Sequence, residues 1–265
     1  MERLQGELMT ALESLFAPRA VVLKNTSSLR SLEGPENYTR VSVGELSEPV
    51  EIEEGNGRFL VDPIEGQKTG WFFDHRDNRS ALARLCRGKR VLDLFSYSGA
   101  WGISAALAGA AHVDCVDVSA QAIELARANA SLNGLQDRMQ FIAADVFDYL
   151  KSAREERQHY DVIVVDPPAF IKRKKDAAKG VEAYRRLNQS SLQILGDGGI
   201  LLSASCSFHL SREVLHDMLR ATSRHLDRHL VFLGRGGQAA DHPVHPAIPE
   251  TDYLKAYICH SGRSL

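Results

Sequence analysis

Four apolar stretches, each closed by an aspartate, constrain this chain more than anything else in it. They are Val91-Leu92-Asp93, Val113-Asp114-Cys115-Val116-Asp117, Phe141-Ile142-Ala143-Ala144-Asp145 and Val162-Ile163-Val164-Val165-Asp166. Near-continuous apolar runs of this length are the mark of parallel strands buried on both faces. From residue 90 onward strands are expected at 90–95, 112–118, 139–145, 160–166, 199–205, 229–234 and 253–260, with helices at 99–108, 119–133, 145–155, about 181–195 and 211–226. The alternation predicts an α/β fold with a doubly wound, Rossmann-like sheet. Right-handed crossovers place the ligand crevice at the carboxyl ends of the strands, where Asp93, Asp117, Asp145, Asp166 and Cys206 all fall.

The region before that sheet reads differently. Leu4, Leu8, Leu12 and Leu15 recur at helical spacing over 1–16, and Pro18 marks the end of that helix. Its apolar face has two readings, packing on its own domain or on a second copy as a homodimer. Short β-like runs follow at 21–23, 41–43, 50–52 and 59–61, the last two joined by a Gly- and Asn-bearing hairpin connection at 53–58. The expected organisation is a small α+β domain over 1–65 and a main domain over 66–265, with a frayed tail at 261–265. A chain of 265 residues is long enough for one large core and such an appendage.

Apolar runs here are strand-length, far short of the roughly 20 residues of a membrane span. Glu2, Arg3, Glu7 and Glu13 interrupt any signal-like N-terminus, so the expected location is cytoplasmic and away from membranes. A formal charge of -2 means that any nucleic-acid contact must come from a local basic face. The four cysteines show no CxxC or zinc-ligand spacing, so no metal is expected; Cys86, Cys115 and Cys259 read as buried packing residues.

The turn after the first aspartate strand is Phe95-Ser96-Tyr97-Ser98-Gly99. A dinucleotide fingerprint would place its first Gly where Ser96 stands, and no GxxxxGK[ST] occurs. Asp93 at a strand tip would repel a pyrophosphate but suits a cationic amino group. Asp117, followed by Val118 and Ser119, is placed to accept from ribose hydroxyls. Asp145 is placed to accept from an adenine amino group, with Val146 and Phe147 as apolar walls. The set describes S-adenosylmethionine, although each aspartate alone also reads as a helix N-cap. Residues 66–79, dense in aromatic and charged side chains, read as part of the same site, with Lys68, Thr69 and Arg76 given to the cofactor; the plainer reading makes Asp74 a helix cap and the aromatics core.

Asp166-Pro167-Pro168-Ala169-Phe170 forms a rigid ledge, since two prolines fix φ and remove two donors, and Phe170 is placed to stack on a base. Lys172, Arg173, Lys174, Lys175, Lys179, Arg185 and Arg186 follow, either as a solvated loop or as a phosphate-contacting face. Cys206 sits at the next strand tip, and its thiol needs a cation or a helix N-terminus to act as a nucleophile. A thiol is what C5 methylation of a pyrimidine requires, because attack at C6 makes C5 nucleophilic. The plainer reading of a lone cysteine is packing.

GQKTGWFFDHRDNR at 66–79, DLFSYSGAWG at 93–102, DPPAF at 166–170, SCS at 205–207 and GQAADHPVHPAIPETDYLK at 237–255 together resemble the large-subunit ribosomal RNA methyltransferase I family. The resemblance spans most of the chain. It implies a seven-stranded class I methyltransferase sheet, S-adenosylmethionine as cofactor, and 23S rRNA as the partner methylated at a cytosine C5. It also implies a cofactor pocket lined by Asp93, Asp117, Asp145 and Asp166, and Cys206 as nucleophile. Glu250 takes the role of proton-abstracting base by likeness to related Cys-dependent enzymes, with Asp241 and His242 as alternatives in the same loop. Family members usually begin with an RNA-binding PUA domain, and this sequence starts with the helix that would follow it. A guanine N-methyltransferase without a thiol, a small-molecule methyltransferase, and a cofactor-binding module without catalysis remain as alternatives.

Overall fold

Residues 2–27, 30, 34–46 and 49–263 are described by the computed structural model, and their contacts divide the chain into two units, Met1–Glu51 with Leu60–Phe72 and Ile52–Phe59 with Phe73–Leu265. Residues 66–72 therefore group with the N-terminal strands, whereas the hairpin tip at 52–59 groups with the large sheet.

In the first unit, helix α1 (Gln5–Phe16) follows a single 3-10 turn, Glu2–Leu4, and ends where Ala17 turns left-handed before Pro18. The leucine spacing does make a helix, but none of its residues is buried, and Leu15 and Phe16 are 74% and 71% exposed. Strands β1 (Ala20–Asn25) and β2 (Tyr38–Gly44) pair antiparallel with a bulge between Val21 and Val22. β3 (Val50–Glu54) and β4 (Gly57–Val61), most of whose residues belong to the second unit, form the expected hairpin around Gly55 and Asn56.

The second unit alternates helix and strand. Helix α2 (Arg76–Ala83) precedes β5 (Arg90–Leu94), and α3 (Ala100–Leu107) leads to β6 (His112–Asp117). Next come α4 (Ala120–Leu132), β7 (Met139–Ala143), α5 (Val146–Glu155) and β8 (Tyr160–Val165). Helix α6 (Ala177–Ile194), β9 (Leu195–Ser205), α7 (Arg212–His225), β10 (Arg228–Gly236) and β11 (Lys255–Arg263) complete it. The seven strands form one sheet in the order β10-β11-β9-β8-β5-β6-β7. β9, β8, β5, β6 and β7 are parallel, and β11 runs antiparallel between β9 and β10.

This is the doubly wound α/β sheet expected from the sequence. Val91, Val113, Val162, Ile163, Val164 and Val165 have no exposed surface, as strands sandwiched between helix layers require. Two bounds differ. α6 starts earlier than expected because Gly180 lets its first turns close on Ile171: a Cβ at 180 would stand 2.2 Å from Ile171 Cγ1. β11 also extends through Arg263, taking in 261–263 of the expected tail, while 264–265 lie outside the described residues.

Candidate active site

The turn after β5 is bent by three left-handed residues, Phe95 (φ 60), Tyr97 (φ 45) and Gly99 (φ 78). For two non-glycine residues this is strain of about 1–3 kcal/mol each, and strain of this kind gathers at ligand sites. The bend brings the Tyr97 N–H to Asp117 Oδ2 at 3.0 Å and the Gly102 N–H to Asp93 Oδ2 at 2.9 Å. Ser98 is buried and its carbonyl accepts from Asn129 Nδ2 at 3.1 Å.

Asp93 has no exposed surface, and its other carboxyl oxygen has no hydrogen-bond partner; the buried Ser96 hydroxyl, in the turn that follows β5, has none either. Burial raises the Asp93 carboxyl to about 8, opposed by the Gly102 N–H and reinforced by the charges of Asp166 and Asp117. Asp117 closes β6 and accepts from Tyr97 N–H on one oxygen and Ser119 N–H, at 2.9 Å, on the other. Each oxygen keeps a second lone pair. Ser119 caps α4 by accepting from Ala122 N–H, and Val118 between them is 72% exposed.

Asp145 is the N-cap of α5, its Oδ1 accepting from the N–H groups of Phe147 at 2.8 Å and Asp148 at 3.2 Å. The plainer reading of this aspartate is therefore realised, with Oδ2 outside the cap. Val146 is 2% exposed and packs within the hydrophobic core. Phe147 is half-buried, with the Arg186 guanidinium 5.5 Å from its ring centroid.

Asp166, one residue beyond β8, is held from two sides. Its Oδ1 lies 3.2 Å from His75 Nε2, and its Oδ2 accepts from Trp101 Nε1–H at 2.9 Å. Burial pushes this carboxyl up, but His75, the indole N–H and Arg79 together hold it below the usual carboxylate range. His75 Nδ1 is in turn 3.2 Å from Asn78 Nδ2, which donates to the Gly237 carbonyl at 2.8 Å. Pro167 is buried, and the Phe170 ring packs between Phe95 and Tyr184, at centroid distances of 6.3 Å and 4.8 Å.

Asp74 does not cap the helix, as the plainer reading of 66–79 had it. His75 holds that position without a side-chain cap, and Asp74 is buried and accepts from the Tyr253 hydroxyl at 2.7 Å. Lys68 and Thr69 are exposed residues of the first unit, where Lys68 Nζ lies 4.4 Å from the Phe72 ring centroid. Arg76 pairs with Asp241 at 3.1 Å, and Asp241 with His242 at 3.0 Å.

Cys206 directly follows β9, half-buried, in a turn built on hydroxyls. Ser205 Oγ donates to Tyr184 OH at 2.9 Å, Tyr184 OH and Ser207 Oγ are 2.9 Å apart, and the Ser207 N–H donates back to Ser205 Oγ at 3.1 Å. β9 pairs with β8 in register Val165↔Ser203, so Cys206 and Asp166 leave neighbouring strands at the same edge. The other three cysteines are buried, with burial pushing the Cys86 and Cys259 thiols up to about 12 and the Cys115 thiol well above its ordinary value. Glu250 is exposed on the turn Pro249–Thr251. The basic run is exposed, with Arg173 paired to Asp176 and Arg185 to Glu182.

A family model described as S-adenosylmethionine-dependent methyltransferase matches residues 7–257. The chain belongs to that family. Among its relatives, the ribosomal RNA large subunit methyltransferase I of Aeromonas salmonicida is 39% identical over 96% of this chain and 65% of its own length. The protein of the same name from Shewanella denitrificans is 38% identical over 97% of this chain and, again, 65% of its own. The chain thus spans about 65% of the length of these curated relatives, whose name agrees with the resemblance found in the motifs. The solved structure of SMU.776 complexed with SAH shares the fold, at a TM-score of 0.84 and 24% identity, covering 98% of this chain and 66% of that one.

The family's cofactor, S-adenosylmethionine, fits the donors and acceptors at this edge. A buried carboxyl oxygen and a buried hydroxyl without partners, on Asp93 and Ser96, are what an ammonium and carboxylate would satisfy. Asp117 retains lone pairs for hydroxyls, and the exposed Val118 offers an apolar surface beside it. Among the described residues no cluster of His, Cys, Asp and Glu could hold a metal ion, and no helix is long and apolar enough to cross a membrane. His75, Asn78, Trp101, Tyr184, Tyr253 and Lys255 were missed as site residues. For the first three the motifs at 66–79 and 93–102 carried a signal, and Tyr253 and Lys255 lie in the motif at 237–255.

Proposed function

We propose that the protein transfers a methyl group to C5 of a cytosine in large-subunit (23S) ribosomal RNA through a covalent adduct with Cys206. The observation that carries this reading is the half-exposed thiol at the tip of β9, next to the Asp166 ledge on β8. The names of the relatives supply the class of RNA. In this reading Arg76, Asp93, Phe95, Ser96, Tyr97, Ser98, Gly99, Asp117, Val118, Ser119, Asp145, Val146, Phe147 and Pro167 belong to the cofactor site. S-adenosylmethionine, when bound, supplies the methyl group as an electrophile.

Cys206 attacks C6 of the cytosine as a thiolate, forming an S–C6 bond and moving the C5=C6 electrons toward the ring carbonyl, which makes C5 nucleophilic. After methylation C5 still carries its proton. A base removes it, the C5=C6 bond re-forms, and the thiolate leaves; Glu250 is the candidate for that base. Asp166, held ionised by His75 and Trp101, accepts from the 4-amino group of cytosine, where a uracil would present an oxygen. The exposed Lys172, Arg173, Lys174 and Lys175 contact phosphates.

Nucleoside mass spectrometry of unmodified large-subunit rRNA, after incubation with the protein and S-adenosylmethionine, tests this. New 5-methylcytidine that is absent with Cys206→Ala is the expected result. Methylguanosine made equally by both proteins refutes the cytosine assignment and leaves Cys206 as packing.

A further inference from the structure

Lys255 is 4% exposed, yet among the described residues no carboxylate forms an ion pair with it. Its Nζ donates to the Ser207 carbonyl at 2.6 Å and to the Tyr253 carbonyl at 2.8 Å. In the antiparallel register of β11 and β9 it stands directly across from Ser205, so it reaches the turn that carries Cys206 from the neighbouring strand. A buried ammonium whose hydrogen bonds go to two carbonyls, with Asp252 acting on it without an ion pair, is only partly compensated, and proteins keep such a charge where a further anion faces it.

We propose that Lys255 is the positioning residue that fixes the Cys206 turn and stabilises the Cys206 thiolate. The inference rests on the reading of Cys206 as a nucleophile, and it supplies a cation, one of the two devices that activate such a thiol. The two groups interact in the expected sense: burial lowers the Lys255 ammonium to about 8, while Asp252 and Cys206 act to raise it and Arg212 to lower it. Around the thiol stand Tyr184 from α6 and Tyr253 at the approach to β11, whose hydroxyls burial holds above their ordinary range, so both are neutral. Asp74 and Asp241 face Tyr253. Among these groups Lys255 is the one that is cationic at neutral pH, buried, and bonded to the turn itself.

The same clamp ties two segments together. Ser207 follows Cys206, and Tyr253 donates to Asp74, so a single ammonium joins the thiol turn to the Tyr253–Asp74 pair. Loss of the ammonium should therefore change both the acidity of the thiol and its placement, and only the first is read by a pH profile.

The test is the rate of Cys206 alkylation by iodoacetamide across pH, resolved by peptide mass spectrometry, in the wild-type protein, Lys255→Met and Lys255→Arg. Burial of Cys86, Cys115 and Cys259 keeps the signal specific. The wild-type midpoint is expected below the ~8.5 of an ordinary thiol. Lys255→Met should raise it by at least about one pH unit and slow alkylation at neutral pH about tenfold, with Lys255→Arg restoring most of the loss. A wild-type midpoint at or above ~8.5, or an unchanged midpoint in the Met variant, overturns the proposal, and the wild-type profile decides it even if the Met variant does not fold. Absence of 5-methylcytidine with a depressed midpoint refutes the proposed reaction alone; 5-methylcytidine with an ordinary midpoint refutes this role of Lys255 alone.

Discussion

Asp93→Asn should make the ligand-free protein more stable at alkaline pH while abolishing cofactor binding. Burial raises the Asp93 carboxyl from 3.8 to about 8. A carboxyl raised on folding binds its proton more tightly in the native state, so its contribution is fully present below about pH 4 and lost as pH rises toward 8. At about 1.4 kcal/mol per tenfold change in proton affinity, the loss is roughly 2 kcal/mol at pH 5 and on the order of 5 kcal/mol at pH 8. Asparagine does not titrate, and its oxygen can still accept from the Gly102 N–H. Its amide nitrogen then falls where Asp93 Oδ1 has no partner, at a pH-independent cost of about 1–3 kcal/mol. The two stability curves should therefore cross near about pH 5 to 6, with the variant ahead by about 2–4 kcal/mol at pH 8. Urea unfolding at several pH values measures this, and calorimetry with SAH should detect binding to the wild type alone, because the amide cannot neutralise an ammonium. Parallel curves for the two proteins, or a variant that is less stable at pH 8, would refute the account of Asp93.

Gly102→Ala should destabilise by about 1–2 kcal/mol despite its better helix propensity, because the new Cβ would stand 2.7 Å from Cys115 Sγ. Thermal unfolding checks this, and Cys115→Ala added to it should recover part of the loss. Replacing Lys172, Arg173, Lys174 and Lys175 by Gln should weaken RNA binding at low salt and reduce the slope of log K against log salt by about 0.7–0.9 for each phosphate that is no longer neutralised, without changing the affinity for SAH. An unchanged slope would return the run to a solvated loop.

The parallel sheet was legible because its signals are local. Each strand is a short apolar run with a small-residue or capping turn after it, and the alternation with helices leaves one class of fold. The position of β11 between β9 and β10 is a long-range pairing that apolar periodicity does not encode. The burial of α1 was not legible either: Leu4, Leu8 and Leu15 have the spacing of a packed face, yet they remain exposed. Periodicity says which side of a helix is apolar and nothing about what covers it.

The site divides in the same way. In the sequence Asp93, Asp117, Asp145 and Asp166 look equivalent, four carboxylates at four strand ends. Folding makes them chemically different through partners far away in the chain. Asp145 is spent largely on capping α5, and Asp117 on two N–H groups of adjoining turns. Asp93 and Asp166 lie on neighbouring parallel strands but are driven in opposite directions. One is buried with a single N–H donor and rises toward neutrality; the other meets His75 and Trp101 and stays ionised. An ammonium arriving at Asp93 would lower the affinity of that carboxyl for its proton, so cofactor binding and deprotonation of Asp93 are linked. Asp166 needs no such partner, since its charge is already balanced by groups of the chain. That asymmetry suits a cofactor that brings its own cation to Asp93 and a neutral base whose amino group needs a carboxylate ready to accept.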